Sequence, residues 1–137
     1  MFEQDYLVKQ FLMFFKALTR SWEQMEEEKD PFAAADTLED AISAATDMDG
    51  TALLTLAPES IASIMQVTGV DPRIVEYISR SMLLESVYLE QGGDSGLADV
   101  RAAQAHAIAD AYGFGLPEDP SDFDAITEGL EEEALGL

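Results

Sequence analysis

A glycine-rich turn at residues 92–96 constrains the fold of this chain more than any other feature. Before it, residues 72–91 repeat apolar side chains at helical spacing, and after it an alanine-rich run extends from Asp94 to Tyr112. Asp94 is a suitable N-cap for a second helix that starts directly after the turn. The pattern therefore predicts two antiparallel helices folded against each other, a unit that proteins use both for packing and for binding.

Two Asp-Pro pairs mark further helix starts, because aspartate caps free backbone amides and proline fits the first helical position. These pairs are Asp30-Pro31 and Asp71-Pro72. The sequence has no alternating pattern of strand length, so we expect an all-α fold of antiparallel helix hairpins, an array of about five helices with short connections. The predicted helices cover residues 3–28, 31–47, 58–67, 72–91 and 94–112, with a helical turn at 51–56.

The last part of the chain differs in composition from the rest. Residues 1–113 are predicted to form the helical domain, and residues 114–137 an acidic tail with eight acidic residues and no basic one. Asp119-Pro120 can open one weak helix in this tail, with Phe123, Ile126, Leu130 and Ala134 on one side. The tail either docks on the domain or stays mobile. Docking is only slightly favoured, because Gly129 and the charge density oppose it.

The charge of the chain is strongly one-sided, with 28 acidic and 7 basic residues and a net charge of −21. Such a chain repels phosphate backbones, so nucleic acids are not expected partners. The acidic excess either keeps the chain soluble, which we favour, or reflects a salty host cytoplasm. Residues 1–25 are the exception, because three acidic and three basic residues balance there.

Cysteine is absent and His106 is the only histidine. These counts remove disulfides, thiolate metal sites and most zinc sites, so we expect neither a metal nor a cofactor. The chain begins without a positively charged segment, and the apolar run that follows, residues 11–15, is short, so a signal peptide is not predicted. No stretch reaches transmembrane length, and we expect a cytoplasmic protein.

Opposite charges fall on two helix faces that should be buried. Glu85 lies in the middle of the apolar face of the 72–91 helix, and Arg101 and Gln104 lie on that of the 94–112 helix. Glu85 and Arg101 are placed symmetrically about Gly93, so the hairpin brings them together. Because a buried charge is tolerated only when it is paired and hydrogen-bonded, we predict a buried Glu85–Arg101 pair, joined by Gln104 or a tyrosine hydroxyl.

The buried pair permits two interpretations. The first, which we favour, is a structural bridge that fixes the register of the two helices. The second is a ligand anchor in a cleft, which would make the protein a small-molecule binder or an enzyme. An enclosed pocket lined by both side chains would support the second interpretation.

A repeat-like pattern spans residues 84–105 and consists of Leu84, Tyr88, Gly92 or Gly93, Ala98 and Ala105. It resembles a tetratricopeptide repeat, a helix hairpin used as a protein-binding module. Glu85 and Ala102 depart from that pattern, since the repeat usually has a small residue and an aromatic residue there. Only one convincing copy is present, and about three are needed for a stacked superhelix, so a binding groove is not implied.

A second resemblance covers about residues 2–113. It consists of Glu3-Gln4-Asp5-Tyr6-Leu7, Leu56-Ala57-Pro58-Glu59-Ser60-Ile61, Leu83-Leu84-Glu85 with Tyr88, and Arg101 with Gln104-Ala105. At these positions the chain resembles a family of small bacterial proteins of unknown function. The resemblance implies a helical, repeat-like protein, and it implies no particular activity.

One short sequence matches a catalytic motif without the fold that the motif needs. Gly93-Asp94-Ser95-Gly96 matches the tetrapeptide around the nucleophile of trypsin-like proteases. Those enzymes are β-barrels whose histidine base precedes the serine, whereas His106 follows Ser95 on a predicted helix. No catalytic residue is therefore assigned.

The amphipathic helix at residues 3–28 is the best candidate interface. Its apolar surface is wider than one packed face needs, and its first 25 residues are the neutral part of an acidic chain. We therefore expect a non-enzymatic protein-interaction or scaffold domain that forms a homodimer or contacts another protein through this helix. Peripheral membrane attachment by the same helix is a weaker alternative, since anionic lipids would repel the acidic remainder. The candidate interface residues are Leu7, Phe11, Phe14, Phe15, Leu18 and Trp22.

Overall fold

The computed structural model describes the backbone of residues 2–136 and the side chains of residues 5–50 and 52–136. The described part is all-α and contains no β-strand, which confirms the predicted fold class. Five helices of ten residues or more form most of it. The elements are α1 (Phe2–Glu26), α2 (Pro31–Thr46), α3 (Gly50–Leu54), α4 (Pro58–Val67), α5 (Pro72–Gln91), α6 (Ser95–Tyr112), α7 (Phe123–Ile126) and α8 (Leu130–Ala134).

Aspartate side chains cap the helices at the predicted starts. Asp30, Asp71 and Asp94 each accept a hydrogen bond from a backbone amide two or three residues later, over 3.1, 2.9 and 3.1 Å. Each bond satisfies one of the first-turn amides that have no partner inside the helix. The two prolines that follow Asp30 and Asp71 occupy the first turns of α2 and α5.

Helix α5 is the centre of the packing. It packs most extensively against α6 and also against α2, which in turn packs against α1, while α4 covers α6. The connections of α1 to α2 and of α5 to α6 are short, and each of these pairs forms a packed unit. The buried side chains of α5 include large apolar residues, such as Tyr77, Leu84 and Tyr88, and also the charged Glu85.

The tail forms two short helices, α7 and α8, instead of the single predicted helix. The expectation that Asp119-Pro120 opens a helix is wrong, because the Asp119 carboxylate accepts hydrogen bonds from the Ser121 backbone amide and hydroxyl in a turn. Asp122 is the cap instead, and it accepts from the Ala125 amide over 3.2 Å. The predicted apolar side faces the protein, with Ile126, Leu130 and Ala134 buried.

Three predicted interface residues are not available to a partner in this fold. Phe11, Phe14 and Leu18 are buried in the chain's own core, so their assignment to an intermolecular interface is corrected. The apolar face of α1 is wide because the helix packs against α2, α5 and α8 of its own chain. The other predicted residues, Leu7, Phe15 and Trp22, are half-buried.

Within residues 2–136, no helix combines the length and the apolar character needed to cross a bilayer.

Candidate functional site

The most unusual feature of the interior is a cluster of polar side chains between the helices, consisting of Glu39, Glu85, Arg101 and Gln104. We refer to it as the Arg101 cluster. The Arg101 Nε donates to Glu85 Oε2 over 3.0 Å, and its Nη1 donates to Gln104 Oε1 over 2.7 Å. Glu85 and Gln104 are completely buried, and Arg101 nearly so. The structure thus brings together the three residues that the sequence singled out.

The cluster also binds the end of α3 and the segment after it. The carbonyl oxygen of Leu54 accepts hydrogen bonds from Arg101 Nη1 at 2.8 Å and from Gln104 Nε2 at 2.9 Å. Gln104 Nε2 also donates to the Leu56 carbonyl over 2.8 Å. Carbonyl groups at the end of a helix have no partner inside it, and these side chains supply one. The α3–α4 connection is therefore held against α6 by side chains of α6.

A second carboxylate reaches the guanidinium from α2. Glu39 Oε2 lies 3.2 Å from Arg101 Nη2, and the Glu39 side chain is 32% exposed, so it forms the solvent-facing edge of the cluster. One cation therefore faces two carboxylates, and four segments of the chain meet at one arginine. A guanidinium suits this position because its donors point outward in one plane with fixed geometry.

Two carboxylates share one guanidinium, and the effect of this imbalance is seen in the pKa of Glu85. Burial raises the pKa of Glu85 well above its usual range, the neighbouring Glu39 carboxyl adds to that rise, and Arg101 opposes it. Its second oxygen, Oε1, is buried and accepts no hydrogen bond from the described residues. If Glu85 is protonated, the cluster keeps one negative charge on Glu39 and one positive charge on Arg101. The protonated Glu85 carboxyl can then donate a hydrogen bond to the Glu39 carboxylate.

The surroundings of the Arg101 cluster favour a structural role over a ligand anchor. Three grooves on the described surface are lined by other residues, and none of these three includes Glu85, Arg101 or Gln104. One of them, with a volume of about 580 Å³, lies between the start of α1 and the connection of α4 to α5, beside Leu7 and Ile74. Among the described side chains, no group of three or more His, Asp or Glu residues is placed to hold a metal ion.

The protease-like tetrapeptide is part of the hairpin turn. The Ser95 hydroxyl donates to Glu90 Oε1 over 3.0 Å and lies in the first turn of α6. His106 is exposed further along the same helix. The Ser95 hydroxyl therefore has Glu90, at the end of α5, as its partner. Among the described residues it is not paired with a histidine base, as acyl transfer by a serine protease requires.

Sequence reasoning missed Glu39 and the two backbone carbonyls. The helical periodicity of α2 assigns Glu39 to the side that faces water, and its partial exposure agrees with that assignment. A signal was nevertheless present in Arg101 itself. A guanidinium has five donors, and Glu85 together with Gln104 cannot occupy all of them, so a buried arginine required further acceptors.

The outward side of α1 is the second feature of interest. It carries the exposed side chains of Tyr6 and Leu12, which are 60% and 39% exposed. Lys9, Lys16 and Arg20 are exposed on the same helix, and together they are three of the seven basic residues in the chain. Of these three, only Arg20 forms an ion pair within the described residues, with Glu23 and Glu28.

The comparisons with known proteins assign no family to the chain. No family model matches it, and neither the curated proteins nor the solved structures contain a match. What the fold shows is a small all-helical protein with packed helix pairs.

Proposed function

We propose that this protein is a non-enzymatic interaction module that forms a homodimer through the outward side of α1. The supporting observation is the local charge of that surface. The chain has a net charge of −21, whereas its residues 1–25 balance three acidic and three basic residues. The exposed Lys9, Lys16 and Arg20 of α1 lie there beside exposed apolar side chains. Two copies that meet there avoid bringing like-charged acidic surfaces together.

The arrangement of the helix pairs supports the same proposal. Helix α1 packs on α2, α2 on α5, and α5 on α6, so the two helix pairs lie side by side, each in contact with its neighbour. Helix α1 is the first helix in this order, and its side chains Tyr6 and Leu12 stay exposed.

The test compares two apolar side chains of similar exposure on different helices. Leu12 on α1 is 39% exposed, and Val100 on α6 is 41% exposed. Leu12→Glu should weaken self-association by about tenfold or more, because it places a charge in the proposed contact, whereas Val100→Glu should leave it unchanged. Sedimentation equilibrium at several salt concentrations measures both. A wild-type chain that stays monomeric under all of these conditions, or equal effects of the two variants, would contradict the proposal.

A further inference from the structure

The Arg101 cluster joins α2 to α6 through a carboxylate that solvent can reach. Glu39 of α2 lies 3.2 Å from Nη2 of Arg101 on α6, and the Glu39 side chain is 32% exposed. The second carboxylate at the same guanidinium belongs to Glu85 and is completely buried. Glu39 can therefore turn from the guanidinium into solvent, whereas Glu85 cannot reach solvent without unpacking the core.

One oxygen of the buried carboxyl group has no hydrogen-bond donor. Glu85 Oε2 accepts from Arg101 Nε over 3.0 Å, while Oε1 is buried and accepts no hydrogen bond from the described residues. An ionised carboxylate in that position leaves a buried acceptor unsatisfied, which is costly. A proton on Glu85 removes this cost, because a neutral carboxyl group carries a donor of its own and the Glu39 carboxylate beside it can accept.

The charged groups that act on Glu85 within the described residues come from two neighbouring helices, Arg101 from α6 and Glu39 from α2. Burial raises the pKa of Glu85 most, the Glu39 carboxyl adds to the rise, and Arg101 opposes it. The end of α3 contributes the neutral carbonyl group of Leu54, which accepts from Arg101. The titratable side chains at the contacts of α5 with α1 and α7 lie at other positions: Glu26 and Tyr88 towards α1, and Glu76, Tyr77 and Arg80 towards α7.

We propose that the Arg101 cluster is a proton-controlled switch of the contact between α2 and α6. In the closed state, the protonated Glu85 donates to Glu39, and Glu39 stays paired with Arg101. When Glu85 releases its proton to water, two negative carboxylates meet at one guanidinium, and in the resulting open state Glu39 has turned into solvent. Arg101 then neutralises Glu85 alone, and α2 loses its ion pair with α6. The switch requires no self-association, so it is independent of the proposed dimer.

The repulsion releases Glu39 because the other partners of Arg101 are buried. Arg101 Nη1 donates to Gln104 Oε1 over 2.7 Å and to the Leu54 carbonyl over 2.8 Å, and Gln104 is completely buried. Breaking one of these bonds, or the one to Glu85, leaves an unpaired group in the core, which is strongly destabilising. Glu39 can instead exchange the guanidinium for water, and ion pairs that water reaches contribute little.

The pH at which the switch opens follows from the proton on Glu85. A group whose pKa is raised on folding stabilises the folded chain fully below its ordinary value, here 4.5, and the contribution is lost as the pH rises through the raised pKa. The contact between α2 and α6 is therefore closed in mildly acidic solution and opens above the pKa of Glu85.

Carbon-13 NMR of the side-chain carboxyl groups in the full-length chain tests the proton directly. The Glu85 signal, identified by its absence in Glu85→Gln, should titrate with a midpoint above 4.5 in a series from about pH 3 to about pH 10. Glu39→Gln should lower this midpoint, because glutamine carries no charge and its amide can donate to the ionised carboxylate. Asp40→Asn, which removes a charge from the adjacent exposed position of α2, is the matched control and should lower it less.

Urea denaturation over the same pH series tests the movement of Glu39. Below the pKa of Glu85, Glu39→Gln should lower the urea midpoint, because it removes the ion pair with Arg101. Above that pKa the loss should disappear, because Glu39 has already left the guanidinium. Asp40→Asn should show a smaller change with pH. If Glu39→Gln lowers the helix content measured by circular dichroism, Glu39→Ala serves in its place, since it removes the same charge.

Two results would overturn the inference. The first is a Glu85 midpoint near 4.5, or one that is the same in the wild type and in Glu39→Gln, because the proton would then not depend on Glu39. The second is a loss of stability in Glu39→Gln that is equal at both ends of the pH series, because Glu39 would then stay on Arg101. Neither result bears on the self-association test with Leu12→Glu.

Discussion

The α5–α6 hairpin and the C-terminal segment, residues 123–136, are both attached to the rest of the chain through buried contacts, but the contacts are of different kinds. In the hairpin, Arg101 forms directional hydrogen bonds to Glu39, Glu85, Gln104 and a backbone carbonyl. In the C-terminal segment, apolar side chains and donation to its backbone carbonyls provide the attachment.

The two kinds of contact differ in how strictly they fix the positions of their neighbours. A buried arginine with four acceptors tolerates only one arrangement of its neighbours, because any shift leaves charges without partners. Apolar contacts are non-directional, so they restrict the position of the segment less strictly. The hairpin contacts therefore restrict the fold more strictly than the contacts of the C-terminal segment do.

The largest expected effect comes from removing the cation of the hairpin. Arg101→Met leaves the buried Glu85 without its donor and the Leu54 carbonyl with Gln104 as its remaining donor, and should lower the free energy of unfolding by about 3–5 kcal/mol. Urea denaturation followed by circular dichroism measures it. Arg73→Met is the control, because its ion pair with Asp71 is exposed and such pairs contribute little. Similar losses in the two variants would show that the Arg101 cluster does not stabilise the fold.

Two completely buried leucines, one in each region, give the next test. Leu84→Ala in α5 should cost about 2–5 kcal/mol, because a cavity in the centre of the fold cannot be avoided. Leu130→Ala should cost less, since the segment can detach and its loss is limited to the free energy of docking. The same urea experiment compares them. Equal costs would mean that the segment unfolds only with the whole molecule.

The pH dependence of stability tests the charge imbalance of the Arg101 cluster. Because the pKa of Glu85 is raised in the folded chain, the contribution of this group is fully present below the ordinary value of 4.5. It is lost as the pH rises from that value through the raised pKa. Glu85→Gln retains the shape without the titration, so its stability relative to wild type should increase with pH above about 4.5.

The control for this experiment is Glu59→Gln, at an exposed position of α4. Its stability relative to wild type should change less with pH than that of Glu85→Gln. Urea denaturation at a series of pH values yields both differences. A Glu85→Gln curve that runs parallel to the wild-type curve would show that folding does not raise the pKa of Glu85.

The smallest expected effects come from two matched helix caps. Asp94→Ala at the start of α6 should lower the free energy of unfolding by about 1 kcal/mol. Asp122→Ala at the start of α7 should leave the urea midpoint of α5 and α6 unchanged and alter only the fluorescence of Trp22, which reports on its contact with Phe123. A shift of the global midpoint in both variants would remove the distinction between the regions.

Sequence reasoning succeeded where the determinants are local. The placement of Glu85 and Arg101 about a single turn was sufficient to predict that they meet. Two of the three Asp-Pro pairs, at Pro31 and Pro72, marked helix starts, whereas Asp119-Pro120 did not. Helical periodicity also identified the apolar side of the C-terminal segment. These features depend on residues close together in the chain or on one turn.

It failed where the determinants lie far apart in sequence. Glu39 is 62 residues from Arg101, and only the packing of α2 against α5 brings them together. Periodicity likewise showed that α1 has a wide apolar face, but it could not show that Phe11, Phe14 and Leu18 are covered by the same chain. A wide face predicts several neighbours without indicating whether they are internal.

Amide hydrogen exchange in increasing, sub-denaturing urea compares the two regions most directly. The Ile126, Glu133 and Leu135 amides report on the C-terminal segment through their backbone hydrogen bonds, and the α5 amides report on the hairpin. We expect the segment to exchange through a local opening of low free energy that hardly depends on urea, and α5 only through global unfolding. The same free energy and the same urea dependence for both would contradict the account.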